Sequence, residues 1–359
     1  MTATRFGCRS VGALAGGLSL LSLACGSSAT NATTPDGGVD VVVPPHDAGH
    51  VADAAKHPDG ATTDARAKLD AKDGADAHEA SAMDARAADA ATADASDATP
   101  APDAGPSCGG STAWTLVWSD EFNGADGTGI DTTKWAAQTG GDGWGNQERE
   151  YYTNDLANAA ESGGNLVITA TTAGAASQTC WYGQCEYTSA RLQTLGLFSQ
   201  EHGRFEARIQ IPRGQGLWPA FWMLGSNIDT VNWPTCGEID VMENIGKEPG
   251  IVHGSMHGPG YSGGNALTAL YTLPGGASFA DDFHVFAVEW ETGVVRFYVD
   301  DTLYETETPA DLPAGDTWVF DQPFFILLNV AVGGSWPGDP DSTTVFPQTM
   351  SVDYVRVCQ

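Results

Sequence analysis

The chain has 359 residues, of which 46 are Asp or Glu and 16 are Lys or Arg, for a formal net charge of −30 at neutral pH. Roughly a third of that charge falls between residues 26 and 107, so the remainder is strongly acidic in its own right. Such a surface repels polyanions, which excludes nucleic acid and sulfated polysaccharides as partners.

Residues 1–25 read as a secretory signal. Arg5 and Arg9 precede an apolar run from Val11 to Ala24, too short to span a bilayer as a mature helix. The run closes on Leu21-Ser22-Leu23-Ala24-Cys25, which resembles a bacterial lipoprotein cleavage site with Ser22 where Leu is commoner. Cys25 would then carry the lipid, and Gly26 after it supplies no reason for inner-membrane retention. The expected location is secreted or cell-surface, anchored in the outer membrane, with that lipid as the only link to a bilayer. From 26 to 107 the chain is Ala, Asp, Thr, Pro and Gly with recurring Asp-Ala steps. It cannot bury enough apolar surface to offset ordering entropy, so a disordered tether is expected, with an r.m.s. span of roughly 50 Å.

Residues 108–359 suit one large β domain. Strand-length apolar or alternating runs occur at Trp114–Trp118, Asn165–Thr169, Arg204–Ile211, Val285–Trp290 and Val295–Val299. The last two are joined by a turn at Glu291-Thr292-Gly293, and Asp300-Asp301 turns the chain again. No window carries a helical period, and many short strands between Gly-rich turns mean a sandwich or barrel. Cys8 leaves with the signal, and five cysteines besides Cys25 remain for an oxidising compartment, where Cys180 and Cys185 close a short loop.

The densest chemistry lies at Glu238-Ile239-Asp240-Val241-Met242-Glu243, three carboxylates with apolar residues between them. In a regular strand Glu238 and Asp240 share a face and Glu243 points away. A β-bulge near Val241-Met242 would reset the alternation, send both apolar side chains to the core and put all three acids on one surface. Crowded carboxylates repel, so one should hold its proton while another stays ionised, which is the equipment for splitting a glycosidic bond. Covalent retention needs the two carboxyls about 5–5.5 Å apart, whereas positions four apart on a flat strand have Cα atoms about 13 Å apart, so the sheet must be concave. Just upstream stand Trp218, Trp222 and Trp233, whose faces suit the apolar side of a sugar ring. His253 and His257 share a strand face as a zinc pair would, but no third ligand at suitable spacing accompanies them.

Four blocks, GLWPAFWMLG, NWPTCGEIDVMENIG, HGSMHGPGYSGG and NVAVGGSWPG, occur in the order in which they stand in glycoside hydrolase family sixteen, and the chain resembles its bacterial laminarinases over residues 111–359. The inserted residue in E-x-D-x-x-E favours that side of the family, since lichenases and xyloglucan-active members resemble an E-x-D-x-E form. The resemblance implies an all-β, concanavalin-A-like jelly-roll β-sandwich with a concave substrate cleft. It implies a retaining endo-β-1,3-glucanase acting on a neutral β-glucan, with Glu238 as nucleophile, Glu243 as general acid/base and Asp240 tuning the nucleophile. Substrate contacts are expected from Asn146, Arg191, Trp218, Trp222, Trp233, His257 and Trp336. No cofactor is implied for catalysis, but a structural calcium ion is, held by Asp353 with backbone oxygens near Glu121 and Gly164. Cys108 and Cys358 would join the first and last strands, which lie close in such folds, leaving Cys236 as a buried free thiol. A monomer is expected. The alternatives are a β-glucan-binding module without turnover, a member acting on mixed-linkage glucan or agarose, and a transglycosylase.

Overall fold

The computed structural model describes residues 106–359 apart from residue 111; the signal, the lipid site and most of the tether lie outside the described residues. Two antiparallel sheets stack face to face. One runs Thr302–Glu307, Val294–Val299, His284–Glu291, Gly203–Gln210, Gln348–Cys358, Asn165–Ala170, Ala159–Ser162, with Leu116–Asp120 also paired to the long last strand. The other runs Leu267–Thr272, Ile251–His257, Glu238–Glu243, Leu217–Gly225, Phe324–Val332, Arg191–Gln193, Ala136–Gln138. This is the jelly-roll sandwich expected from the sequence. Among the described residues helix is confined to Ile228–Val231 and three short 3-10 turns, in line with the missing helical period.

Alternation places the core. In Leu217–Gly225, Leu217, Phe221 and Met223 point between the sheets, while Trp218, Ala220 and Trp222 point out. Across the gap Phe205, Ala207, Ile209, Phe286, Val288 and Trp290 meet them. The strand Phe324–Val332 is buried at every position, because its outward Phe325 and Leu327 are capped by a second cluster with Leu224 and Cys236. That cap keeps the Cys236 thiol free and buried, and burial pushes it up to about 11, so it is inert at neutral pH.

One detail departs from expectation. The first strand begins at Leu116 rather than Trp114, because the Trp114 N–H turns back to the Thr112 carbonyl at 2.9 Å. The turn at Asp300-Asp301 uses two non-glycine residues at φ 48° and 59°, and both carboxylates are engaged, with His284 and Arg204 respectively. Both anticipated disulfides are present, Cys108–Cys358 and Cys180–Cys185. The first ties the entry of the domain to the last strand, where fully buried Arg204 adds ion pairs to Glu206 at 2.7 Å, Glu289 at 3.1 Å and Asp301 at 2.7 Å.

Candidate active site

Gly237, at φ 77°, turns the chain into the acid strand Glu238–Glu243 in a conformation that strains any residue with a Cβ. Along the neighbouring strand Trp222 pairs with Asp240 and Phe221 with Met242, so Val241 is surplus. On the other side the register breaks between Asp240, opposite Ser255, and Glu243, opposite His253. Ile239, Val241 and Met242 all enter the core. The bulge therefore does what the acid spacing required: two consecutive apolar side chains point inward, and Glu243 joins Glu238 and Asp240 on the outer face.

Each acid has its own donor. The Trp233 indole N–H donates to Glu238 Oε2, and that of Trp218 to Glu243 Oε1 at 2.8 Å. Asp240, 2% exposed, sits beneath them with His257 Nε2 at 2.9 Å from its Oδ2. The Gly263 N–H donates to His257 Nδ1 at 3.1 Å, which leaves Nε2 as the protonated nitrogen facing Asp240. Asp240 and Glu238 are themselves within hydrogen-bonding reach.

Burial raises all three carboxyls, since water is removed from the charged forms. Asp240 goes up to about 7, and Glu238, with Asp240's charge beside it, up to about 8. Glu243, desolvated and facing the negative charge of both, lies well above the ordinary carboxylate range. At neutral pH Glu243 therefore keeps its proton, while Glu238 and Asp240 share one between them and titrate as a pair. One acid and one available anion on the same surface is the division of labour that glycosidic cleavage demands.

The other anticipated residues gather on the same face. Arg191 lies between two indoles, its guanidinium 4.7 Å from the Trp144 ring centroid and 4.6 Å from that of Trp222, and its Nε donates to Gln138 at 2.6 Å. Trp222 donates to Asn329 Oδ1 at 2.7 Å, and Asn146 donates to Glu148 Oε1 at 3.0 Å. Trp336 packs edge-on against Trp218 at 5.3 Å and His253 at 4.8 Å. Trp218 and Trp233, expected as sugar platforms, are the donors that orient the two glutamates, a role invisible in a linear string.

Sequence reasoning missed Trp144, Glu148, Tyr152 and Asn329. Three of them form a relay in which Tyr152 donates to Glu148 at 2.9 Å and Asn329 donates to Tyr152 at 3.1 Å, and Trp144 packs edge-on against Tyr152 at 5.3 Å. Below it Glu150, fully buried, takes the Val332 N–H at 2.6 Å, and burial together with Glu148 raises it well above the usual range. Trp144 and Glu148 flank Asn146 and Asn329 opens the NVAVGGSWPG block, so the signal was adjacency to residues already singled out.

His253 and His257 face different partners. His257 meets Glu238 and Asp240 across the strand boundary, their ligating atoms all within 4.8 Å of one another, while His253 faces Glu248 Oε2 at 3.6 Å. The anticipated calcium ligands converge by register. Val352 pairs with Leu166 and Val355 with Asp120, which brings Glu121 and Gly164 opposite Asp353-Tyr354. Asp353 is itself a surplus residue, since Arg208 pairs with Tyr354 and Ile209 with Val352, and its Oδ2 accepts from Arg208 at 2.8 Å. Glu121's carboxylate is held by Arg356 at 3.0 and 2.7 Å, leaving only its backbone oxygen to offer. Asp353's carboxylate is engaged by Arg208 as Glu121's is by Arg356, so a calcium ion, which takes about six to eight oxygens, would have to share it with that arginine.

A jelly roll with acids and indoles across the outer face of one sheet defines a carbohydrate-active protein. The profile of glycosyl hydrolases family 16 matches residues 145–356. A β-glucanase of Rhodothermus marinus is 45% identical over 261 residues, covering 68% of this chain and 85% of that protein. Among solved structures, the catalytic domain of an endo-1,3-β-glucanase (laminarinase) from Thermotoga petrophila is 48% identical at a TM-score of 0.64, covering 68% of this chain and 98% of that one. The endo-β-1,3-glucanase of Pyrococcus furiosus matches equally, at 48% identity and a TM-score of 0.64, covering 68% of this chain and 94% of that one. The chain belongs to glycosyl hydrolase family 16 and is a glycoside hydrolase.

Proposed function

We propose that the protein is a retaining endo-glycosidase that hydrolyses internal β-1,3 bonds of laminarin-like β-glucans. The observation that carries this is the Val241 bulge, which sets Glu238, Asp240 and Glu243 on one surface. Similarity to enzymes named as endo-1,3-β-glucanases supplies the linkage.

Glu243 gives its proton to the glycosidic oxygen while Glu238 attacks the anomeric carbon and forms a covalent glycosyl-enzyme. Attack requires the proton shared by Glu238 and Asp240 to rest on Asp240. Positive charge developing on the sugar ring stabilises the Glu238 anion and draws the proton there. Glu243, now ionised, then takes a proton from water as it opens the intermediate, returning to its starting state. Trp218 and Trp233 hold the two glutamates in line throughout.

The test pairs two variants with two substrates. On laminarin, Glu238→Gln and Glu243→Gln each lose several orders of magnitude in rate while keeping glucan affinity. On an aryl β-laminaribioside whose phenolate leaves without help, Glu243→Gln recovers the first step as a burst of phenol and Glu238→Gln does not. A burst from Glu238→Gln instead would reverse the roles, and wild-type protein silent on laminarin but intact by circular dichroism would sink the reading. Comparing products from laminarin, lichenan and agarose by mass assigns the linkage.

Two further proposals concern placement. A calcium ion at Asp353, with backbone oxygens of Glu121 and Gly164, would brace the sandwich away from the reaction; chelation should lower Tm without changing the pH profile. A lipid on Cys25 would leave the catalytic domain on a tether at the outer membrane, which palmitate labelling of wild type against Cys25→Ser decides.

A further inference from the structure

The ring closed by Cys180–Cys185 carries an indole that the proposed reaction does not use. Trp181 is 50% exposed, yet little about it is loose. Its Nε1 donates to the Glu148 carbonyl at 2.7 Å, its backbone N–H to the Gly141 carbonyl at 2.7 Å, and the disulfide closes the loop around it. The adjoining Tyr182 is fixed as well, donating to the Arg149 carbonyl at 2.6 Å under the Arg149 guanidinium at 4.4 Å. On the other side Trp181 presses on Gly143, where an added Cβ would come within 2.9 Å of its ring. An isolated exposed apolar residue needs no explanation, but a rigidly held, half-bare indole is a preformed surface that loses little entropy when something stacks on it.

Its position says what would stack. From the acid strand the sheet runs through Leu217–Gly225 and Phe324–Val332 to Arg191–Gln193, three strand spacings or about 15 Å. Over that distance the face carries Trp222, Arg191 stacked upon it, and Trp144 stacked on Arg191. Gly143, next in the chain to Trp144, is where Trp181 sits. The line of side chains that begins beside Asp240 thus leads by way of Arg191, Trp144 and Gly143 to the disulfide ring.

We propose that Trp181 is the sugar platform of an outlying subsite, engaged only by glucan chains long enough to run from the acids past Arg191 and Trp144. This rests on the reading that a neutral β-glucan lies along this face. It makes the CWYGQC ring a chain-length selector: short oligosaccharides end before reaching it, while polymers gain affinity and are cut internally.

The experiment compares wild type, Trp181→Ala and Trp181→Phe in the full chain on laminaritriose, laminarihexaose and laminarin. Trp181→Ala should lower kcat/KM on laminarin and the hexaose by about tenfold, through KM, so that the hexaose-to-triose ratio collapses. Trp181→Phe keeps a stacking face but lacks the indole N–H, and should recover most of the loss. Equal losses on all three substrates, or a Phe variant as poor as Ala, would show that the bond to Glu148 merely supports the loop and would overturn the proposal. So would an unchanged ratio. Laminarihexaose affinity by calorimetry, measured in Glu238→Gln with and without Trp181→Ala, reads the platform independently of turnover. If the wild type proves inactive on laminarin the proposed function falls, and this comparison still decides the subsite.

Discussion

Replacing Asp240 with Asn tests how the acid cluster works. In the wild type the Glu238/Asp240 pair must lose one proton before Glu238 can attack, and the first leaves near Asp240's value of about 7. Glu238, at about 8, is raised first by burial and then by the Asp240 charge. The two carboxylates lie within 4.8 Å. At an effective dielectric of about 20 a unit charge at that distance contributes about 3.5 kcal/mol, equivalent to about 2.5 pH units. That charge acts only on the second proton the pair loses, because while one proton is shared Glu238 has a neutral neighbour; Asn keeps the burial and removes this upper step of about 8, leaving Glu238 a single ionisation. The acidic limb of kcat/KM on laminarin, followed by reducing ends from pH 4 to 9, should therefore stay in place or rise, because Asn cannot release the first proton in Glu238's place. The basic limb should move down, because Glu243, raised first by burial, is also held up by Asp240's charge. The rate at the optimum should fall by about ten- to a hundredfold with the loss of the group that receives the shared proton. An acidic limb that moves down by about a unit or more would refute the shared-proton reasoning.

Two other outcomes are expected. Deleting Val241 leaves Glu238-Ile239-Asp240-Met242-Glu243, a regular alternation that keeps all three acids on the outer face, so turnover on laminarin should survive with native circular dichroism; loss of activity with the fold intact would show that the bulge itself positions Glu243. Glu150→Gln should stabilise the fold increasingly as pH rises. A buried acid whose folded pKa is raised binds a proton that the unfolded chain has released, so wild-type stability falls from about pH 4.3 upward, by at most about 1.4 kcal/mol per pH unit. The amide keeps an acceptor for Val332 and removes that slope. Urea unfolding at pH 5 and pH 8 checks it, and a difference between variant and wild type that does not grow with pH would count against it.

Much of this protein was legible in one dimension. Alternating strands between Gly-rich turns implied a sandwich or barrel, since period-2 hydrophobicity buries one face of a sheet, and the family resemblance narrowed this to the jelly-roll sandwich. Three acids around an apolar pair could share a surface only through a bulge, and Val241 supplies it. What the linear string could not show were relations between strands distant in sequence. That His257 answers Asp240, that Trp218 and Trp233 spend their N–H groups on Glu243 and Glu238, and that Arg191 is clasped by Trp144 and Trp222 all depend on register and loop closure. Burial was equally out of reach, and it is burial that lifts three ordinary carboxyls into the range where one keeps its proton and two share another. Local sequence chose the residues and the irregularity that aligns them; packing set their ionisation and partners, because desolvation and hydrogen bonding arise only when the sheets close.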